Sequence, residues 1–133
     1  MIFSTRSTYG LRAIINLAKQ QKFGNVSLSV IAKQENISLK YLEKLFASLK
    51  KAGLVKSVKG ATGGYLLAKD SKKINVYDII KSLEGELNCF HCTGKNAKIY
   101  CSKLCNCQAT YVLSRVDQAI EKTLKNIKLS QLL

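Results

Sequence analysis

Over residues 5–21 apolar side chains recur at helical spacing: Tyr9, Ala13 and Leu17, with Ile14 and Ala18, share one side until Gly24 breaks the run. A second, shorter helix is predicted to begin after Ser27, whose hydroxyl can accept from the unpaired N–H groups of a first turn. It runs through Val30 and Ile31 to about Glu35 and ends in the turn Asn36-Ile37. Ser38 offers the same cap to a third helix, which stops at Gly53, a residue at ease in the left-handed conformation beyond a helix end. Within that helix Leu42, Leu45, Phe46 and Leu49 fall at i, i+3, i+4 and i+7, one buried stripe, while Lys40, Glu43, Lys44, Ala47 and Lys51 take the opposite side. The period then changes. Residues 54–59 alternate as a strand, residues 60–64 form a glycine-rich turn, and residues 65–68 return as a second strand. Asn75 with Asp78 is a capping pair for a helix through Val76, Ile79, Ile80 and Leu83, closed by Gly85. A last helix is predicted from about Cys107 to Asn126. It carries Ala109, Val112, Val116, Ala119, Thr123 and Ile127, plus Leu113, Ile120 and Leu124, on one face. So wide an apolar face on a terminal helix calls for a partner, and a second copy of the chain would bury it.

Two short helices joined by a tight turn and followed by a hairpin describe a winged helix-turn-helix. The expected fold is therefore mainly α with a small β wing and a long C-terminal dimerisation helix. Residues 1–73 form the DNA-binding region, 74–88 a connecting helix, 89–107 a cysteine-rich loop, and 108–133 the dimerisation helix and tail. At 133 residues and 47% hydrophobic content, one compact domain with its own core is expected, without disulfide staples. Charge sharpens this picture. The net charge is +14, and residues 1–73 carry fourteen Lys or Arg against three acids while the remainder carries eight against five. The basic surface belongs to the helix-turn-helix half, so the expected partner is a polyanion, double-stranded DNA. No apolar run spans a bilayer and the first ten residues lack the apolar core of a secretion signal, so no membrane is expected and a cytoplasmic location is. No hydrolytic triad, phosphate loop or nucleotide motif is present, and Gly60, Gly63 and Gly64 lie between strands instead of opening a helix; an enzyme is not expected.

All five cysteines, Cys89, Cys92, Cys101, Cys105 and Cys107, fall in one nineteen-residue stretch. In a reducing compartment an odd number of clustered thiols points to metal binding or redox sensing before structural disulfides. Thiolates suit soft metals: the pairs Cys89/Cys92 and Cys101/Cys105 fit tetrahedral zinc, and the whole set fits an iron-sulfur cluster. His91 is either a ligand or an ordinary loop residue.

The chain resembles the winged-helix iron-sulfur repressors of bacteria, the IscR-like regulators and their nitric-oxide-sensing relatives. The resemblance is carried by residues 4–10 with Tyr9, by Ile37-Ser38-Leu39 and Tyr41-Leu42-Glu43, by Leu45-Phe46 and by Gly53-Leu54-Val55. It continues through Gly63-Gly64-Tyr65-Leu66-Leu67, Lys69-Asp70, Asn126-Ile127 and Leu129. It implies a cluster, 2Fe-2S in the first instance and 4Fe-4S as alternative, on Cys92, Cys101 and Cys107. A histidine usual three residues after the last cysteine is Thr110 here, which leaves His91, Cys89 and Cys105 as local candidates for a fourth ligand. The wing, Lys59-Gly60-Ala61-Thr62, and Lys40 on the third helix also depart from the usual residues, so the DNA target should differ.

The expected DNA-binding residues are Ser38, Lys40, Tyr41, Glu43, Lys44 and Lys51 on the third helix, with Lys59, Gly60, Thr62 and Gly63 on the wing. The resemblance gives Glu43 a base-reading role, and the chemistry is sound: a carboxylate accepts from cytosine N4 and is repelled by phosphate. Lysines supply phosphate contacts, Tyr41 is core or reaches the DNA, and the wing glycines let the backbone approach the minor groove, whose negative potential attracts the Lys59 cation. The expected mechanism is a dimer whose readers are re-spaced when a cluster is gained, lost or nitrosylated. A thiol- or zinc-based redox regulator and a small iron-sulfur electron carrier are the alternatives.

Overall fold

The computed structural model describes residues 3–90, 92–93 and 107–133. Five helices and one hairpin follow the order α1 (Thr5–Gln20), α2 (Leu28–Glu35), α3 (Leu39–Lys51), β1 (Val55–Val58), β2 (Gly64–Leu67), α4 (Val76–Glu84) and α5 (Gln108–Asn126). Side chains set the helix starts. Ser4 Oγ accepts from Arg6 N at 3.1 Å, Ser27 Oγ from Ser29 N at 3.2 Å, Ser38 Oγ from Tyr41 N at 3.1 Å and Asn75 Oδ1 from Asp78 N at 2.8 Å. The stops also follow the sequence. Asn36 is left-handed at φ 55° after α2, and Gly53 at φ 71° after α3, where Leu54 N returns to Leu49 O at 3.0 Å.

The predicted stripe of α3 is buried: Leu42, Phe46 and Leu49 are fully enclosed with Ile14 and Leu17 of α1, Ile31 of α2 and Ile79 of α4. β1 and β2 pair antiparallel, Val55 opposite Leu67 and Val58 opposite Gly64. The Tyr65 ring meets Phe46 edge to face at 5.1 Å, which seats the wing on the inner side of α3.

Three ties were not foreseen. Val26 pairs with Tyr65 on the outer edge of β2, through Val26 N to Tyr65 O at 2.9 Å and Tyr65 N to Val26 O at 2.8 Å. The C-terminal tail leaves α5 at Ile127, which is extended instead of helical, and Val76 N donates to Ile127 O at 2.9 Å while Leu129 enters the main core. Glu84, at the end of α4, receives the start of α1: its Oε1 accepts from Ser4 N at 2.8 Å, Ser4 Oγ at 2.7 Å, Ser7 N at 3.2 Å and Ser7 Oγ at 2.6 Å. Burial works against ionisation of that carboxyl, but the hydrogen bonds from Ser7 and Ser4 outweigh it and hold its pKa below the ordinary value.

α5 buries no residue completely. Tyr111, Val112 and Val116 are 65%, 57% and 42% exposed, and a shallow groove of about 310 Å³ lies between Phe3 and Ala119, Ile120, Thr123 and Leu124. Among the described residues, the C-terminal end of the predicted apolar face packs within the chain, Leu124 and Ile127 lying against Val76, Ile80 and Leu87.

Candidate nucleic-acid interface and thiol segment

α3 is amphipathic by construction. Because Leu42, Leu45, Phe46 and Leu49 anchor one side, Lys40, Glu43, Lys44 and Lys51 are exposed on the other. Glu43 makes no ion pair among the described residues, which leaves its carboxylate in solvent. Ser38 is exposed but its oxygen is committed to the helix cap, leaving the hydroxyl hydrogen to give. Tyr41 is half-buried: its ring packs on the core and meets Tyr9 edge to face at 6.1 Å, so the core reading describes its ring. Lys50, absent from the expected set, turns back to the wing and donates to Ser57 Oγ at 2.8 Å.

The wing tip is tightly specified. Gly60 sits at φ 116°, and Gly63 N donates to Gly60 O at 3.0 Å. A Cβ on Gly63 would lie 2.7 Å from Val58 O and 2.9 Å from Gly60 O, so the tip folds only with glycine there. Lys59, Gly60 and Thr62 are exposed and Gly63 is half-buried. Gly64 has a second role that turn composition does not reveal: a Cβ there would stand 2.5 Å from Val26 O. Its bareness admits the backbone of residue 26 to the strand edge.

Of the cysteine segment, Cys89, Cys92 and Cys107 are described and half-buried, while Cys101, Cys105 and His91 lie outside the described residues. Among the described residues no three Cys, His, Asp or Glu converge on one point. The donor chemistry fits the implied group all the same, because thiolates are the usual ligands of iron-sulfur clusters and Cys92 and Cys107 bracket the segment. Thr110, half-buried on the first turn of α5, supplies no imidazole. Sequence reasoning missed Asp117. Its Oδ1 accepts from Cys89 N at 2.6 Å, fastening the entry of the segment to α5. Hydrogen bonding to Asp117, with burial and the carboxylate's charge, pushes the Cys89 thiol up to about 11. Cys89 is therefore a protonated thiol at neutral pH, unlike a reactive one. Asp117 follows its neighbours on α5 with no signal of its own, since its partner is 28 residues away.

Comparison with known proteins places this geometry in context. The Rrf2 family profile, described as an iron-dependent transcriptional regulator, matches residues 3–133. The chain is 44% identical over 99 residues to the transcriptional regulator IscR of Cereibacter sphaeroides, a match covering 73% of this chain and 63% of that protein, less than two thirds of its length. It is 47% identical over 88 residues to CymR of Bacillus subtilis, covering 66% of this chain and 64% of that one. Among solved structures, T. potens IscR superposes with a TM-score of 0.76 at 40% identity, over 98% of this chain and 84% of the other. CymR, the global cysteine regulator of B. subtilis, gives 0.79 at 34%, over 99% and 95%. These named relatives are transcriptional regulators, not enzymes. With a winged helix, a basic outer face on α3 and a profile match over residues 3–133, the chain belongs to the Rrf2 family.

Proposed function

We propose that this protein is a dimeric DNA-binding transcriptional regulator whose cysteine segment is the sensor. The observation that carries the reading is α3, which buries Leu42, Leu45, Phe46 and Leu49 and thereby presents Lys40, Glu43, Lys44 and Lys51 together beside the wing. The lysines would neutralise phosphates and Glu43 would select at base edges, accepting from cytosine and penalising other placements. Lys59 and the tip Gly60, Thr62 and Gly63 would meet the minor groove. A second copy packed on the exposed stretch of α5 would set two α3 helices at half-site spacing.

Cys92, Cys101 and Cys107 would hold an iron-sulfur cluster, which when bound supplies a group that oxygen, nitric oxide or iron shortage removes. The chain's own part is mechanical. Asp117 ties Cys89 to the dimerisation helix, and Glu84 ties the helix before the segment to the start of α1. A change in the segment is thus joined to both the dimer element and the reader's scaffold. A second reading, thiol oxidation as the signal, is favoured by the likeness to CymR, for which an oxidised form from Staphylococcus aureus superposes with a TM-score of 0.75 at 36% identity.

The test is a visible spectrum with iron and sulfide analysis on protein purified without oxygen, followed by duplex binding of holo and apo forms across a salt series. Matched iron and sulfide, with binding that differs between the forms, is the expected result. A colourless protein that resists reconstitution but responds to thiol oxidation would replace the cluster by the second reading. No duplex binding at low salt would end both.

A further inference from the structure

The wing is a two-stranded hairpin, an element that holds little stability by itself. β1 occupies one edge of β2. The other edge is closed by residues 21–26. Gln21 Oε1 accepts from Leu67 N at 2.9 Å, Val26 exchanges two backbone bonds with Tyr65, and Asn25 Nδ2 donates to Thr62 O at 2.7 Å. The first two hold the strand. The third alone reaches the tip: among the described residues it is the one side-chain hydrogen bond to residues 60–63. Packing does not substitute for it. An open groove of about 410 Å³ runs between Ala61, Thr62 and Gly63 and the side chains of Phe23 and Val30, which remain 85% and 43% exposed.

Resting on the DNA-binding reading above, we infer that Asn25 is a positioning residue for DNA recognition: its amide, held by the Val26 bridge, aims the wing tip at the minor groove. The sequence places Asn25 in a loop before α2, far from both reader elements, and 37 residues separate it from Thr62. Loss of the bond leaves the tip free to swing about Gly60 and Gly63, so the ordering the bond provides beforehand must be supplied on binding. Because the acceptor is a backbone carbonyl, the role depends on the donor at residue 25 and not on the side chain at residue 62.

The test uses the full chain and the tightest duplex selected from a randomised library of about 30 base pairs, long enough for two half-sites. Dissociation constants, hydroxyl-radical footprints of the minor groove and guanine N7 methylation protection in the major groove are measured for wild type, Asn25→Ala and Asn25→Asp. Both substitutions are expected to weaken binding about five- to tenfold, the worth of one lost ordering bond. The minor-groove protection at the flanks should disappear while N7 protection and thermal stability stay as in wild type. In a Lys59→Ala background, where the wing's cation is already gone, Asn25→Ala should cost less than in wild type. Unchanged flanking protection and affinity would overturn the inference. So would a proportional loss of both footprints with a lowered melting temperature, which marks a merely structural residue. A wild-type protein that selects and binds no duplex would instead overturn the DNA-binding reading, a result distinguishable from equal binding by wild type and variant.

Discussion

Glu84 carries the junction between α1 and α4, and its replacement is the sharpest test of how the scaffold is held. One oxygen, Oε1, accepts from the backbone and hydroxyl of both Ser4 and Ser7, at 2.6–3.2 Å. Ser7 is buried, 6% exposed, so removing the carboxylate strands its hydroxyl where water scarcely reaches. Hydrogen bonds to a charged group contribute about 1.5–3 kcal/mol each, but four that share one oxygen do not add. The carboxylate also faces the positive end of α1, a contribution of about 0.3–1 kcal/mol. Glu84→Ala should therefore destabilise by about 3 kcal/mol, a melting temperature lower by roughly 10 °C for a domain of this size. Glu84→Gln keeps an acceptor and should lose about half of that. The pH dependence discriminates further. The folded carboxyl titrates below the ordinary value of 4.5, so its contribution is present above that value and is lost as pH falls through the lowered folded pKa. The gap between wild type and Glu84→Gln, followed by denaturant melts from pH 7 to 3, should close at the acid end. A gap that is constant across that range, or a Glu84→Ala protein within about 1 kcal/mol of wild type, would refute the reasoning.

Two further substitutions probe the core and the open face. Phe46→Ala removes a fully enclosed ring that touches Tyr65 and should cost about 3–5 kcal/mol in urea unfolding; a loss under about 1.5 kcal/mol would mean the wing is seated otherwise. Val112→Glu with Val116→Glu places charge on positions that are 57% and 42% exposed among the described residues, so the fold should survive while light scattering reports a monomer and duplex affinity falls at least tenfold. An intact dimer would move the interface elsewhere.

The helix starts were legible because capping is local. Ser27, Ser38 and Asn75 each bond an amide two or three residues on, a distance at which composition carries the information. Gly53 was legible for the same reason, and so was the α3 stripe, since period alone decides which side faces in. The exposed lysines of α3 followed from that stripe without any knowledge of DNA. Asn25, Glu84 and Asp117 were not legible, because each acts on a partner 28 to 80 residues distant and none interrupts the pattern around it. Gly64 shows the limit well: in sequence it reads as turn glycine, yet the constraint on it comes from Val26 O, a neighbour that only the fold supplies.

The apolar face of α5 was also half-read, and the unread half bears on what the helix is for. Periodicity runs from Ala109 through Ile127 without a break, so it cannot say where intrachain packing ends. The structure draws that boundary by bending the chain at Ile127, whose carbonyl receives Val76 N while Leu129 N returns to Ile74 O at 2.8 Å. Leu124 and Ile127 are thereby drawn onto α4, and the tail is locked by Leu129 in the core. What remains open, Tyr111, Val112 and Val116, lies toward the cysteine segment and on the same helix as Asp117, which holds Cys89. The helix is thus anchored at its C-terminal end on α4 and held near its middle, through Asp117, to the start of the cysteine segment. In the sensor reading proposed above, a change at the cysteine segment would tilt the open end of α5 while its base stays on α4, and a second copy docked on that end would move with it. Under this arrangement Asp117→Asn, which lacks the charge but keeps the shape, should weaken the coupling between the segment and DNA binding without abolishing either, whereas Leu129→Ala should loosen the fixed base and lower stability outright.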